Sequence, residues 1–170
     1  HSIQELQRAK EELKALAHFD SLTKLPSVWL TRERLKRALV KAKRDKSLLA
    51  VLFIDLDGFK SVNDCFGHAS GDDLLRVASN RLLQSFRESD TVGRIGGDEF
   101  LVCLPDITGE QHAFQLAEKA IAALERPIEV QDGQNKAHRV QVSASIGLAF
   151  YPNSATQADD LIKIADKNMY

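Results

Sequence analysis

Seven apolar residues in a row, 48–54, show neither the alternation of a half-buried strand nor the three-to-four spacing of a surface helix. Such a run predicts a central strand buried on both faces. It stops at Asp55-Leu56-Asp57-Gly58, which sets carboxylates where the strand leaves the core. Residues 140–150 alternate instead, with Val140, Val142, Ala144, Ile146, Leu148 and Phe150 apolar and Gln141, Ser143, Ser145 and Gly147 between them polar or small. That pattern predicts one strand buried on one side, paired through an Asp132-Gly133 turn with 128–130. Residues 91–95 and 99–104 read as two further strands joined tightly at Gly96-Gly97.

Helical spacing accounts for most of the rest. Residues 28–44 predict a helix with Leu30, Leu35, Leu39 and Ala42 inward and eight Lys/Arg between Arg32 and Lys46 on its solvated face. A short helical turn to Asp64 and a loop through Gly67 and Gly71 follow. Ser70 with Asp73 then forms a capping box for a helix burying Leu75, Ala78, Leu82 and Phe86. Thr108 with Gln111 opens a helix carrying Phe114, Ala117, Ile121 and Leu124, and Thr156 with Asp159 opens a last one still running at Tyr170. At the other end Ile3, Leu6, Lys10, Leu13 and Ala17 recur at steps of three and four. That seam suits either a helix lying on its own domain or the end of a coiled coil arriving from an upstream sensor. Residues 20–27 contain Pro26 and no period, hence a loop. The order predicts an α+β class, an α/β sandwich with one mixed or antiparallel sheet flanked by helices, not a doubly wound parallel sheet. The division is a linker or signalling helix at 1–18 and one domain at 19–170.

Charge narrows the partners. Lys plus Arg total 23 against 24 Asp plus Glu, a net charge of -1, which supplies no basic field for nucleic acid. The two cysteines, Cys65 and Cys103, lie in or beside apolar runs and read as reduced thiols of a cytoplasmic protein. No apolar run is long enough to span a bilayer and no signal peptide opens the chain. A chain that starts at His1 and stops at Tyr170 inside a helical pattern reads as a piece of something longer, whose remainder could carry a membrane anchor.

If the Gly96-Gly97 hairpin lies beside the central strand, Asp55, Asp98 and Glu99 meet at one rim of the sheet. Crowded carboxylates repel, and one takes up a proton unless a cation supplies the opposite charge. Hard oxygen ligands with room for water and phosphate favour Mg²⁺ over a caged Ca²⁺. Asp57 reads better as the N-cap of the following helical turn than as a ligand. Alternation along the strand turns Glu99 to a different side from Asp98. Taken alone, the same residues also suit a plain hairpin with solvated acids.

The string Arg94-Ile95-Gly96-Gly97-Asp98-Glu99-Phe100 contains the letters GGDEF, and the chain resembles the GGDEF domain family, the bacterial diguanylate cyclases. Residues 20–26 are similar to the family's opening loop and 53–60 to its first strand and metal turn. Asn63-Asp64, Phe66-Gly67-His68 and Gly71-Asp72 resemble its nucleotide-binding stretch, 143–147 its late strand, and Ala165-Asp166 with Met169-Tyr170 the start of its last helix. The resemblance implies a five-stranded, palm-like or ferredoxin-like core similar to class III nucleotidyl cyclases. It implies that two GTP condense to cyclic di-GMP with release of two pyrophosphates, in a homodimer, because one nucleotide site cannot close a symmetric cyclic dinucleotide alone. Mg²⁺ or Mn²⁺ is then held by Asp55, Asp98 and the carbonyl of Leu56. Glu99 acts on the attacking ribose hydroxyl from a loop built on Gly96 and Gly97, the backbone at Gly58 and Phe59 faces the triphosphate, and Asn63 and Asp72 read guanine. Arg87 and Asp90 match the family's inhibitory RxxD site, which implies product feedback by cyclic di-GMP. Without the family they read as a surface ion pair worth about 0–1 kcal/mol. The alternative function is a catalytically silent GTP-binding module that regulates a neighbouring EAL phosphodiesterase domain. Lys24 stands where the family usually carries glycine, Ser27-Val28 where it carries Asn-Arg, and the sequence stops before the family's terminal Lys- and Arg-bearing elements.

Overall fold

In the computed structural model, which describes residues 2–169, the elements run α1 (Ile3–His18), α2 (Val28–Asp45), β1 (Leu48–Asp57), α3 (Phe59–Phe66), α4 (His68–Ser85), β2 (Thr91–Arg94), β3 (Glu99–Ile107), α5 (Glu110–Glu125), β4 (Ile128–Gln131), β5 (Ala137–Val140), β6 (Ser143–Tyr151) and α6 (Ala158–Lys167). The apolar run becomes β1, the second strand from the edge in a sheet of order β2-β3-β1-β6 in which every neighbouring pair is antiparallel. Its two faces feed two cores, as an uninterrupted apolar strand requires. Ala50, Leu52, Ile54 and Leu56 pack with Phe100, Val102 and Leu104 of β3 beneath α4 and α5. Leu49, Val51 and Phe53 pack with Leu35 and Leu39 of α2 and with Leu161 and Ala165 of α6. The α+β class and the helix–sheet–helix sandwich are as expected. The strand count is not: among the described residues the central sheet has four strands, and β4 and β5 form a separate two-stranded ribbon.

The ribbon explains the misread alternation at 140–150. That stretch is two strands in two sheets, β5 in the ribbon and β6 in the centre, and the chain changes sheet at Gln141, whose side-chain amide donates to the Glu125 carbonyl at 2.9 Å. Nor is the small-residue face of β6 open to water along its whole length: Ser143 is exposed, but Gly147 is buried. A Cβ at Gly147 would land on the Ala165 carbonyl, so the missing side chain is what lets α6 lie against the strand.

Three capping expectations fail, and in two of them the acidic side chain is engaged elsewhere. α3 and α4 meet end to end at Gly67 (φ 92°, ψ 169°), so the loop expected through Gly71 is already helix and Ser70 is buried in the first turn of α4. Asp73 does not cap; its carboxylate accepts the Gln131 amide at 2.8 Å and pairs with Arg76 at 2.9 Å. α5 and α6 begin after Gly109 and Gln157, with no side-chain cap, and Asp159 instead pairs with Arg32 of α2. Helix α6 ends at Lys167, and Tyr170 lies outside the described residues. On α2, Leu30 is only half-buried and Thr31 takes the inward place, its Oγ1 bonded to the Ser27 carbonyl at 2.6 Å and crowding the face of Gly93.

The N-terminal helix does not lie on the domain. Ile3, Leu6 and Leu13 are 76%, 62% and 67% exposed, so the apolar seam is open along α1. Its C-terminal end is fixed to α2: the Ser27 amide donates to the His18 carbonyl at 2.8 Å, the Ser27 hydroxyl donates to Ala17, and the His18 and Trp29 rings stack at 4.7 Å. Lys24, in the loop between the helices, takes φ 64°, the left-handed region where the family's usual glycine carries no strain. Among the described residues no helix is long and apolar enough to cross a membrane.

Candidate functional site

β1 delivers Asp55, half-buried, to the rim where the loop between β2 and β3 folds back. The register puts Asp55 directly opposite Glu99 of β3 and opposite Ser145 of β6. Cross-strand partners share a face, so Asp55 and Glu99 both lie on the side covered by α2 and α6. The expectation that Glu99 turns away is therefore corrected in its premise, because Asp98 belongs to the loop rather than to the strand. The loop is stitched to β1 by the Leu56 amide, which donates to the Asp98 carbonyl at 3.0 Å, and closed by the Ile95 amide, which donates to the Glu99 carbonyl at 2.9 Å.

The acids meet. Asp55 and Asp98 come within hydrogen-bonding reach of each other, and the Asp55 carboxyl is pushed up to about 6, first by burial and then by Asp98, Glu99 and Asp57. Every neighbouring charge that shifts it is negative. Glu99 is also raised, by burial and by the charges of Asp98 and of Asp166 on α6. Among the described residues no three His, Cys, Asp or Glu side chains form a ready metal cage. Two converging carboxylates with a free rim are a partial oxygen shell, the kind a small hard cation completes with backbone carbonyl, water and substrate oxygens.

The two loop glycines have different reasons. A Cβ on Gly96 would fall on Glu99, whose side chain folds over it, whereas Gly97 has nothing within 4 Å of that position and leaves the face of the loop open. Asp57 is not the N-cap of α3. Gly58 holds that position at φ 99°, with no side-chain cap, and Asp57 Oδ2 accepts the Ser145 hydroxyl at 2.7 Å. Beside the acidic rim, then, α3 begins at Gly58-Phe59 with amides that no side chain takes up. Asn63 on α3 and Asp72 on α4 are brought to one helical corner. A Cβ on Gly71 would land on Asn63 Oδ1, an atom buried without a hydrogen-bond partner.

Arg87 and Asp90 form a tight corner before β2. The Asp90 side chain is fully buried and accepts the Arg87 amide at 2.8 Å and its guanidinium at 3.0 and 3.4 Å, while a further guanidinium N–H donates to the Pro105 carbonyl at 2.9 Å. The pair is no loose surface contact, and the Asp90 carboxylate is not open to a ligand, as a direct reader of product would have to be.

One residue carries a role that pattern reading missed. Arg94 donates to the Gly96 carbonyl at 3.1 Å and the Gly97 carbonyl at 2.9 Å, and grips the Asp20 carboxylate at 3.1 and 3.2 Å. Burial alone would raise the Asp20 carboxyl, but the Thr23 amide and hydroxyl together with Arg94 hold it below the usual range. The guanidinium therefore ties the loop after α1 to the glycine loop. An arginine two residues before a glycine pair, with an acid in a distant loop, gave a hint in sequence that only the fold resolves.

Comparison with known proteins agrees with this geometry. Residues 17–170 match the family described as diguanylate cyclase, GGDEF domain. The chain is 44% identical over 165 residues to the bifunctional diguanylate cyclase/cyclic di-GMP phosphodiesterase MucR of Pseudomonas aeruginosa, covering 97% of this chain and 23% of MucR. It is 42% identical to the diguanylate cyclase TpbB of the same species, covering 97% of this chain and 37% of TpbB. It is 37% identical to that species' cyclic di-GMP phosphodiesterase NbdA, covering 96% of this chain and 20% of NbdA. The chain thus spans well under half the length of these curated relatives. The solved GGDEF domain of TpbB superposes with a TM-score of 0.80 at 41% identity, covering 88% of this chain and 84% of that one.

Proposed function

Because the chain belongs to the GGDEF family of diguanylate cyclases, we propose that it condenses two molecules of GTP into cyclic di-GMP and two pyrophosphates. The observation that carries this reading is the convergence of Asp55 and Asp98 at a rim where the charges acting on Asp55 are all negative. Their chemistry fits Mg²⁺ or Mn²⁺, which Asp55, Asp98 and the Leu56 carbonyl would hold. When bound, the cation neutralises phosphate charge and makes the attacking hydroxyl more acidic.

The chain's own residues do the rest. The open amides at Gly58 and Phe59 receive triphosphate oxygens, as a helix N-terminus does. Asp72, an acceptor when ionised, and Asn63 match the donors on the Watson–Crick edge of guanine, which adenine does not present. Glu99, its carboxyl raised by burial and by Asp98, takes the proton from the 3′-hydroxyl of the ribose. Open space over Gly97 leaves room for a second nucleotide, brought by a second copy of the domain in a homodimer. GTP is a cytoplasmic substrate, so the domain works in the cytoplasm, under an upstream sensor reaching it through α1. Product feedback at Arg87 takes a modified form, with Asp90 orienting the guanidinium from beneath.

A second reading follows from NbdA, which is named as a phosphodiesterase: a silent GTP-binding module controlling an adjoining EAL domain. Incubating the whole protein with GTP and Mg²⁺ separates the two. Cyclic di-GMP formation is expected; GTP binding without product would establish the silent module.

A further inference from the structure

The ribbon β4–β5 joins no strand of the central sheet, yet it lies under the helical corner that carries Asn63 and Asp72. Val62 of α3 and Leu74 of α4 bury themselves against Ile128, Val130, Val140 and Val142, a cluster separate from the two cores of the sheet. One polar contact and one ring contact reinforce it. Asp73, next to Asp72, accepts the Gln131 amide of β4 at 2.8 Å. Phe66, the last residue of α3, packs on the ring of His138 in β5 at 4.5 Å between centroids and 30° between planes.

The orientation of His138 is itself fixed. Its Nε2 meets Asp132 Oδ2 at 2.9 Å, while Asp132 Oδ1 accepts the amides of Gln134 and Lys136 at 2.9 and 3.0 Å and so shapes the turn of the ribbon. On the other side, Phe66 precedes Gly67, whose amide donates to the Asn63 carbonyl at 2.8 Å. Asn63 Oδ1 has no partner to hold it, so the place of its side chain depends on where α3 ends relative to α4.

We propose that His138 is a positioning residue for the nucleoside pocket, acting through its ring contact with Phe66 to set the α3–α4 corner and with it Asn63 and Asp72. The inference rests on the reading of that corner as the guanine site. Its test therefore has one arm that needs no nucleotide. Amide hydrogen exchange on His138→Ala should speed about tenfold at Phe66, Gly67 and His68 while β1 and β3 stay protected. His138→Phe, which keeps a ring on Phe66 without the contact to Asp132, should restore the wild-type rates. Phe66→Leu, which keeps apolar bulk and loses the ring–ring contact, should reproduce the alanine result and serves if His138→Ala does not fold. In the second arm, the KM for GTP should rise about fivefold in His138→Ala with kcat held within about twofold, and return in His138→Phe. Unchanged exchange at the corner, or a fall in kcat at constant KM, overturns the proposal. If the wild type neither binds nor turns over GTP, the guanine reading falls, and the exchange contrast alone still decides whether His138 sets the corner.

Discussion

Two acidic corners of this domain are built on opposite terms. Asp90 is the more buried, and each of its oxygens is met by Arg87 within four residues of chain. Asp55 is half-buried, and the charges acting on it come from Asp98, Glu99 and Asp57. A buried acid with its own guanidinium is finished as folded; an acid crowded by acids has a place for a cation the chain does not supply. Activity and stability should therefore separate between the corners. The largest effect is on turnover: Asp98→Asn or Asp55→Asn should lower cyclic di-GMP synthesis by at least about a hundredfold while the thermal midpoint without metal holds or rises. A variant with near-normal Mg²⁺-dependent rates would remove that residue from the metal site.

At the other corner the order reverses. Asp90→Ala strips a buried acceptor from Arg87 and from a backbone amide, and should cost about 2–3 kcal/mol in chemical denaturation. Early-time turnover of the folded fraction should stay near wild type. A loss below about 0.5 kcal/mol would mean that the pair is the loose surface contact of an ordinary exposed bridge.

What could be read in advance divides along similar lines. β1 was legible because a strand buried on both faces leaves an unbroken apolar run, and Asp55 because it ends that run. The pairing of 128–130 across the Asp132-Gly133 turn was legible and is seen as β4 on β5, but its separation from the central sheet was not: Val140 and Val142 continue the alternation of β6 in phase, and nothing in that period marks the change of sheet at Gln141. Capping patterns misled at Ser70 and Thr156 because partners far away in sequence, Gln131 for Asp73 and Arg32 for Asp159, outcompete a local cap. The GGDEF string located the site but not the facing of Glu99, which depends on register across β1. Arg94 was invisible as a clamp, since its four acceptors come from both its own loop and Asp20.

That clamp gives the next prediction. Arg94→Lys keeps the charge but cannot span two carbonyls and a carboxylate with one ammonium. The glycine loop should lose its fixed position, and turnover should fall about tenfold with GTP affinity little changed. Asp20→Asn should act in the same direction and more weakly, because the Gly96 and Gly97 contacts survive. Full activity in Arg94→Lys would show that the hydrogen bonds from Leu56 and Ile95 are enough to hold the loop.

The smallest effect is on stability, and it tests the raised Asp55 carboxyl, which burial and the neighbouring acids hold up together. The folded Asp55 carboxyl lies at about 6, above its ordinary 3.8, so between those values the folded state binds more proton than the unfolded one. The contribution is therefore fully present below about pH 4 and is lost as pH rises through 6, the reverse of a salt-bridged aspartate. Asp55→Asn carries no such charge. With chelator present, wild type and Asp55→Asn should unfold alike near pH 4, and the variant should lead by on the order of 1 kcal/mol at pH 7.5, after discounting for solvent screening at a half-open rim. Added Mg²⁺ should stabilise only the wild type, because the cation binds the folded site and not the unfolded chain. Denaturation curves at the two pH values, with and without the metal, decide it: a gap that is the same at pH 4 and 7.5 would mean that neither burial nor the neighbouring acids raise this carboxyl.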